Sequence, residues 1–132
     1  VSFIEQTDLS KFKEMVQLVL NAIGFKEIEI LDIKQEPSFY ITGTVKKGRH
    51  KYNLQAKGIM SDRVTIADYE EMITSQSNDG NQKRLLFANC EIEKIETDKI
   101  TYIDKYLLAN YIQLLGYVYK FLTKRAAVNK SI

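Results

Sequence analysis

The stretch from Phe39 to Lys57 reads FYITGTVKKGRHKYNLQAK. Apolar and polar residues alternate on both sides of a central Lys47-Gly48-Arg49 segment. Alternation with a period of two is typical of half-buried strands, and a glycine between polar residues is typical of the turn that joins them. The stretch therefore predicts a β-hairpin with one apolar face and one polar face.

Gln55 and Lys57 lie near the end of the second predicted strand, on its polar side. Because side chains two positions apart point to the same face of a strand, the carboxamide and the ammonium are expected to lie side by side. Such a pair can bind a phosphate, or a water molecule held by a metal ion. The alternative interpretation is an ordinary solvated strand end.

Helical and strand-like patterns surround this hairpin. Before the hairpin we expect a helix that is capped by Asp8 or Ser10 and ends at Gly24, and then a strand from Glu27 to Ile33. After the hairpin we expect a loop from Gly58 to Arg63, a helix from Val64 to Gln76 and an exposed loop from Ser75 to Lys83. The last expected elements are strands at Arg84–Ala88 and Lys99–Asp104 and a long helix from Asp104 to about Lys124. This order predicts an α/β (α+β) fold in which a mixed central β-sheet is flanked by helices. Six residues lie on the apolar side of their elements and are expected to be buried: Met15, Val19, Leu54, Leu86, Ile103 and Leu115.

Length and composition indicate one soluble globular domain, residues 1–132, with a basic tail from about residue 124. Of the 132 residues, 45% are hydrophobic and 27% are charged, and no apolar run approaches the roughly 20 residues of a membrane span. The N-terminal residues do not have the layout of a signal peptide, so we expect an intracellular, cytoplasmic protein without membrane contact. One cysteine, Cys90, and one histidine, His50, rule out an internal disulfide and a zinc cluster.

Several local patterns, in their order along the chain, resemble the restriction-endonuclease-like fold and, within it, the Mrr-type catalytic domain. They are the first helix ending in Ala22-Ile23-Gly24-Phe25, the strand ending in Gln55-Ala56-Lys57, the predicted helix at Val64–Ile73, and the closing strand Ile100-Thr101-Tyr102-Ile103-Asp104 with the helix after it. Gln55-Ala56-Lys57 is similar to a variant of the Glu-x-Lys half of the family's nuclease motif. The resemblance implies a nuclease fold and makes Gln55 and Lys57 the candidate catalytic residues.

The sequence departs from the family pattern at the catalytic site, and this departure predicts that the site is degenerate. The family's chemistry needs an acid on the preceding strand, because carboxylate oxygens must hold the divalent cation that activates water. Counting back from Gln55, this acid should fall near Tyr40 or Thr42, and neither is acidic. Asp32 and Glu36 are the nearby carboxylates that could act as metal ligands instead, and each can equally be a solvated strand end.

A cluster of cations gives the first functional hypothesis, a nucleic-acid-binding pseudo-nuclease that has no cofactor and for which DNA is favoured over RNA. Neighbouring tyrosines could stack on bases while the cations pair with phosphates. The alternative is a hairpin kept soluble by lysines at a sheet edge. The candidate nucleic-acid-binding residues are Lys46, Lys47, Arg49, Lys51, Lys57 and Arg63.

Two further hypotheses use the same fold differently. An active Mg2+-dependent DNA endonuclease would use Asp32 or Glu36 with Gln55 and Lys57. A protein-interaction module would act through the final helix, because tyrosines are common at interfaces. The tyrosines of this predicted helix are Tyr106, Tyr111, Tyr117 and Tyr119.

Overall fold

The computed structural model describes residues 2–74 and 80–116 of the chain. Helices α1 to α4 comprise Ser2–Glu5, Leu9–Ile23, Glu70–Thr74 and, within the described chain, residues 105–116. Strands β1 to β7 comprise Lys26–Asp32, Ser38–Lys47, His50–Ile59, Arg63–Val64, Gln82–Ala88, Glu91–Ile92 and Thr101–Ile103. A short 3-10 helix, Ile66–Asp68, precedes α3.

A mixed five-stranded sheet with the order β1-β2-β3-β5-β7 forms the centre of the fold. The first three strands are antiparallel neighbours, whereas β5 and β7 join them in parallel. Helices lie on both faces, so the predicted α/β class with a mixed central sheet is confirmed.

The predicted hairpin is formed by β2 and β3 and sets the two faces of the sheet. Directly opposed residues of an antiparallel pair point to the same side. Tyr40 is opposite Lys57 and Thr42 is opposite Gln55, on the polar face. Ile41 and Ala56 are opposed on the other face, where both are buried.

Helix α2 packs on the apolar face of the hairpin. Its first turn is capped by the Asp8 carboxylate, which accepts a hydrogen bond of 2.8 Å from the Lys11 backbone N–H. Gly24 ends it with a φ of 113°, a left-handed conformation that favours glycine. The first hydrophobic core lies between the sheet and the helices α2 and α4, and its largest members include Phe12, Phe39, Leu20, Leu54, Phe87 and Leu108.

A second core lies against the opposite face of the sheet, towards the end where β3 stops. It is covered by the 3-10 helix, by α3 and by a small parallel sheet made of β4 and β6. The buried Tyr69 side chain donates a hydrogen bond of 2.5 Å to the Glu93 carbonyl oxygen. The buried residues of this core include Val64, Tyr69, Met72, Leu86, Ile92 and Ile100.

The structure corrects several boundaries of the sequence prediction. The strand predicted at Glu27–Ile33 is Lys26–Asp32, and the strand predicted at Lys99–Asp104 is only Thr101–Ile103. Strand β3 continues to Ile59, through the start of the predicted loop, because β2 and β5 pair with it on both sides. Over residues 64–74, the described part of the helix predicted from Val64 to Gln76, the chain forms the end of a two-residue strand, a 3-10 helix and a five-residue helix. Strand β5 begins at Gln82, two residues earlier than predicted.

Four of the six residues predicted to be buried are confirmed, namely Val19, Leu54, Leu86 and Ile103. Met15 and Leu115 are only half-buried at the edge of the first core. The predicted end of the last helix near Lys124, the basic tail, and Tyr117 and Tyr119 lie outside the described residues, as do residues 75–79 of the predicted loop. None of the described helices is both long enough and apolar enough to cross a membrane.

Candidate functional site

Lys57 is a buried cation on the polar face of the sheet. Strand β3 carries it beneath α3, where its side chain is 8% exposed. The ammonium donates hydrogen bonds to the Glu71 carboxylate at 2.6 Å and to the Asp68 backbone carbonyl at 2.8 Å. A buried ammonium is stable only with such partners, so Glu71 compensates the burial of Lys57.

Tyr40 completes this cluster from the neighbouring strand. Its hydroxyl donates a hydrogen bond of 3.2 Å to the same Glu71 carboxylate oxygen. The Lys57 ammonium also lies 5.4 Å from the centre of the Tyr40 ring, within the range of a cation–π contact. Tyr40 therefore stands beside Lys57, at the place where the family resemblance implies an acid.

The charges of the cluster follow from these contacts. Burial by itself would raise the pKa of Glu71, but the hydrogen bond and the positive charge of Lys57 outweigh burial and lower that pKa below its ordinary value. Burial raises the pKa of Tyr40; Lys57 opposes this rise and Glu71 adds to it. At neutral pH Glu71 is therefore a carboxylate and Tyr40 a neutral phenol.

A cleft of about 510 Å³ opens beside the cluster. Glu36 and Glu71 are two carboxylates in its lining, together with Tyr40 and Lys57. Glu36 accepts a hydrogen bond of 3.0 Å from the Ser38 hydroxyl, which orients it at the start of β2. Of the two predicted metal ligands, Glu36 thus lies near Lys57.

Asp32, the other predicted metal ligand, lies on the opposite face of the sheet. It is paired in register with Phe39 and forms an ion pair with Lys13 of α2. The structure therefore does not bring Asp32 together with Gln55 and Lys57. Within residues 2–74 and 80–116, no three acidic, histidine or cysteine side chains form a group that could hold a metal ion.

Away from α3, the same face of the sheet is open to solvent. We call this surface the open sheet face; it comprises Thr42, Thr44 and Lys46 of β2, Lys51, Asn53 and Gln55 of β3, and Gln82 and Arg84 of β5. Gln55 is exposed there and accepts a long hydrogen bond, 3.5 Å, from the Arg84 side chain. Glu29 of the edge strand β1 and Glu71 of α3 contribute carboxylates at two of its borders.

The hairpin end of the open sheet face is strongly basic. Lys46 and Lys51 are directly opposed, and Lys47 and Arg49 follow at the turn; all are exposed, and none of these four has an ion-pair partner in the described part of the chain. The 25 residues from Pro37 to Ser61 contain no aspartate or glutamate. The structure thus brings together four of the six predicted nucleic-acid-binding residues.

The other two predicted nucleic-acid-binding residues lie elsewhere. Lys57 is beneath α3 with its ammonium held by Glu71, and Arg63 is in β4, outside the five-stranded sheet. Lys26 of β1 was missed by the sequence analysis, although it lines a 340 Å³ depression with Lys46 and Lys51. It was missed because only strand pairing brings it to the hairpin.

Glu71 was also missed, although it is the central acceptor of the Tyr40–Lys57 cluster. An acid in the first turn of a helix is common, because it interacts favourably with the helix dipole, and so carries little information. The available signal was the order of elements, since a helix that connects strands of a mixed sheet packs on one face of that sheet. That order implies proximity of α3 to Lys57 but does not identify the contacting residue.

No protein-family model matches the chain, and neither the curated proteins nor the solved structures include one with significant similarity to it. The restriction-endonuclease-like identification is not tested by these comparisons and stays a prediction.

Proposed function

We propose that this chain is a nucleic-acid-binding domain with a restriction-endonuclease-like fold and a degenerate catalytic site, with DNA favoured over RNA as its ligand. The observation that carries the proposal is the basic hairpin end, where Lys46, Lys47, Arg49 and Lys51 are exposed and without ion-pair partners among the described residues. An intracellular, cytoplasmic location is part of this proposal.

The distribution of charge supports a polyanionic ligand. Lys46 and Lys51 are directly opposed across the two strands, and like charges in that position destabilise a sheet. A phosphate backbone placed there would relieve this repulsion and release its own counterions. The neutral polar side chains Thr42, Asn53 and Gln55 continue the surface and can hydrogen-bond to phosphate or sugar oxygens.

The degenerate site is supported by the residues around Lys57. The position opposite Lys57 is Tyr40, and the nearest carboxylate, Glu71, is already held by two hydrogen bonds from Lys57 and Tyr40. A hard cation would have to compete with both donors for the Glu71 oxygen. Binding without cleavage is therefore the activity that these residues favour.

Removal of the hairpin cations tests the proposal. The triple variant Lys46→Ala, Lys47→Ala, Arg49→Ala should bind a DNA duplex or single strand more weakly. Its plot of log affinity against log salt should be shallower by about 3, since each phosphate contact contributes close to one unit of slope. Electrophoretic shifts and fluorescence anisotropy at several salt concentrations measure both effects, with circular dichroism to verify folding.

A matched control separates local contacts from net charge. The triple variant Lys11→Ala, Lys34→Ala, Lys99→Ala removes the same number of charges from exposed positions away from the hairpin. It should change affinity much less than the hairpin variant does. Equal affinities for the hairpin variant and the wild type, both folded, would refute the role of this surface.

A metal-dependent endonuclease is the second candidate, favoured by Glu36 and Glu71, two of the three acidic residues that line one cleft with Lys57. Glu36 and Glu71 are the side chains that would hold Mg2+ there, and the ion would activate water against a phosphodiester. Calorimetric titration with Mn2+ distinguishes the two candidates. Binding by the wild type that Glu36→Ala abolishes, together with DNA cleavage, would replace the degenerate site with an active one.

One specific observation supports the alternative that this chain is a protein-interaction module. Helix α4 exposes Tyr106, Leu107 and Leu114. Exposed aliphatic and aromatic side chains on one helix suit a protein contact. Self-association measured by analytical ultracentrifugation, and its loss in Leu107→Asp with Leu114→Asp, would support this alternative.

A further inference from the structure

A small depression lies on the open sheet face where α3 meets β2 and β3. Its volume is about 270 Å³, and its lining includes Tyr40, Thr42, Gln55, Glu71 and Met72. Tyr40 is 38% exposed, and Met72 is a residue of the second core that also lines the depression. The depression thus combines an aromatic ring and a thioether with several hydrogen-bonding groups at one border of the proposed nucleic-acid surface.

The lining suits a flat, polar-edged ring. The Tyr40 ring offers a stacking face, and a thioether makes favourable contacts with aromatic rings. The Gln55 carboxamide and the Thr42 hydroxyl can both donate and accept hydrogen bonds, whereas the Glu71 carboxylate accepts only. Exocyclic amino and ring N–H groups of a nucleobase can donate to the second oxygen of the Glu71 carboxylate, to which neither Lys57 nor Tyr40 donates.

Charge distinguishes this depression from the hairpin end. No lysine or arginine belongs to its lining, and the charge of the Glu71 carboxylate there is paired with the Lys57 ammonium. The exposed Lys46 lies four residues along β2 from Thr42, which is about 13 Å in a strand. A bound strand would therefore place a base at Tyr40 and its neighbouring phosphates towards the lysines.

We propose that this depression binds one unpaired nucleobase, and that the preferred ligand is consequently single-stranded or locally unpaired nucleic acid. This inference rests on the proposed function. A base inside a duplex is covered on both faces by its neighbours and cannot stack on Tyr40, so the ligand must contain an unpaired base.

The test compares three forms of one ligand by fluorescence anisotropy. They are a single-stranded oligonucleotide of about twelve nucleotides, the same strand with abasic residues in place of its bases, and the corresponding duplex. The wild type should bind the base-containing single strand most tightly. Loss of one base–aromatic stack should weaken binding by about 5- to 150-fold.

The variants assign this difference to Tyr40. Tyr40→Ala should lose the preference for the base-containing strand, whereas Tyr40→Phe keeps the ring and should retain it. Tyr106→Ala is a closely matched control, because Tyr106 is also exposed, donates a 3.2 Å hydrogen bond to the Glu91 carboxylate, and lies beside the Lys105 ammonium. If Tyr40→Ala folds poorly, Gln55→Ala, at an exposed position, provides a second measurement of the preference for the base-containing strand.

The outcomes separate this inference from the proposed function. Equal binding of the single, abasic and double strands, or wild-type behaviour of folded Tyr40→Ala and Gln55→Ala, would overturn the base-binding site. If the affinity then still depends on salt and is still lower for the hairpin triple variant than for the wild type, the electrostatic function remains supported. Absence of binding to every oligonucleotide at low salt would overturn both.

Discussion

At the scale of single residues, Lys57 is the side chain whose burial depends most on a partner. Its ammonium is bound to Glu71 and to the Asp68 carbonyl, so Glu71→Gln should leave a buried charge with a weaker acceptor. We expect a loss of about 1 to 3 kcal/mol in the free energy of unfolding. Urea denaturation measures it, with the exposed neighbour Glu70→Gln as the control, which should be close to neutral.

The pH dependence of this loss has a defined sign. Because the folded protein lowers the pKa of Glu71, its carboxylate stabilises the fold fully above about pH 4.3, the pKa of an unfolded glutamate. This stabilisation is lost as the pH falls through the lowered pKa. The difference between wild type and Glu71→Gln should therefore shrink in acid, and a difference that stays constant to pH 2 would contradict the assigned pair.

The same residues show how far sequence analysis reaches at a site. A period of two placed Gln55 and Lys57 on one face, and counting back from Gln55 gave Tyr40 and Thr42, the residues directly opposite Lys57 and Gln55. Both relations lie within one hairpin, so they can be predicted from the local sequence pattern. Glu71 approaches Lys57 only through the packing of α3 on the sheet, and Asp32 turns to the other face through the register of β1.

At the scale of elements, the hairpin contains one close approach that requires glycine. Gly58 lies opposite Phe39, and a Cβ at Gly58 would come within 2.6 and 2.9 Å of two Phe39 ring carbons and closer still to a third. Phe39 cannot move away easily, because it is fully buried and packs edge-on against Phe12 at 5.6 Å between ring centres. The ring of Phe39 thus fills the space that Gly58 leaves on the sheet.

Gly58→Ala should accordingly destabilise the fold by about 1 to 3 kcal/mol through overpacking. Gly80→Ala is the matched control, since a Cβ at Gly80 meets no heavy atom within 4 Å. Thermal unfolding followed by circular dichroism compares the two. A Gly58→Ala protein as stable as Gly80→Ala would show that β2 and β3 separate more easily than this contact implies.

The segment after the hairpin shows why element type is harder to predict than burial. Tyr69 and Met72 are buried and Ile66 and Ile73 are partly buried, as their helical spacing suggested. However, spacing of three to four residues also fits a 3-10 turn followed by a short helix. Thr65 and Asp68 form a capping box at the turn, and Tyr69 interrupts it with a φ of −133°. The predicted apolar side was correct while the continuous helix was wrong.

At the scale of the whole molecule, one sheet separates two hydrophobic cores. Composition and periodicity predicted a mixed sheet flanked by helices, because each element carries its own apolar side. Neither the parallel pairing of β3 with β5 nor that of β4 with β6 could be predicted, since both depend on chain crossovers. The second core depends on these pairings.

Strands β3 and β5 are hydrogen-bonded neighbours, and both strands contribute residues to both cores. Leu54 of β3 is buried in the first core and Leu86 of β5 in the second. Leu54→Ala and Leu86→Ala should each lower the free energy of unfolding by about 2 to 5 kcal/mol. Because β3 and β5 share a ladder of backbone hydrogen bonds, both variants should unfold in one transition with an unchanged dependence on urea.

Urea titrations followed by far-ultraviolet circular dichroism and by tyrosine fluorescence measure this cooperativity. Leu114→Ala, at a side chain that is 61% exposed, is the control and should be nearly neutral. Coincident transitions from the two probes indicate that the cores unfold together. If Leu86→Ala gives two separate transitions while Leu54→Ala gives one, the second core and the α3 that it supports can unfold alone. Lys57 and the depression at Tyr40 would then no longer be covered by α3 while the basic hairpin remains folded. As the urea concentration rises, affinity for the base would therefore fall before affinity for phosphate.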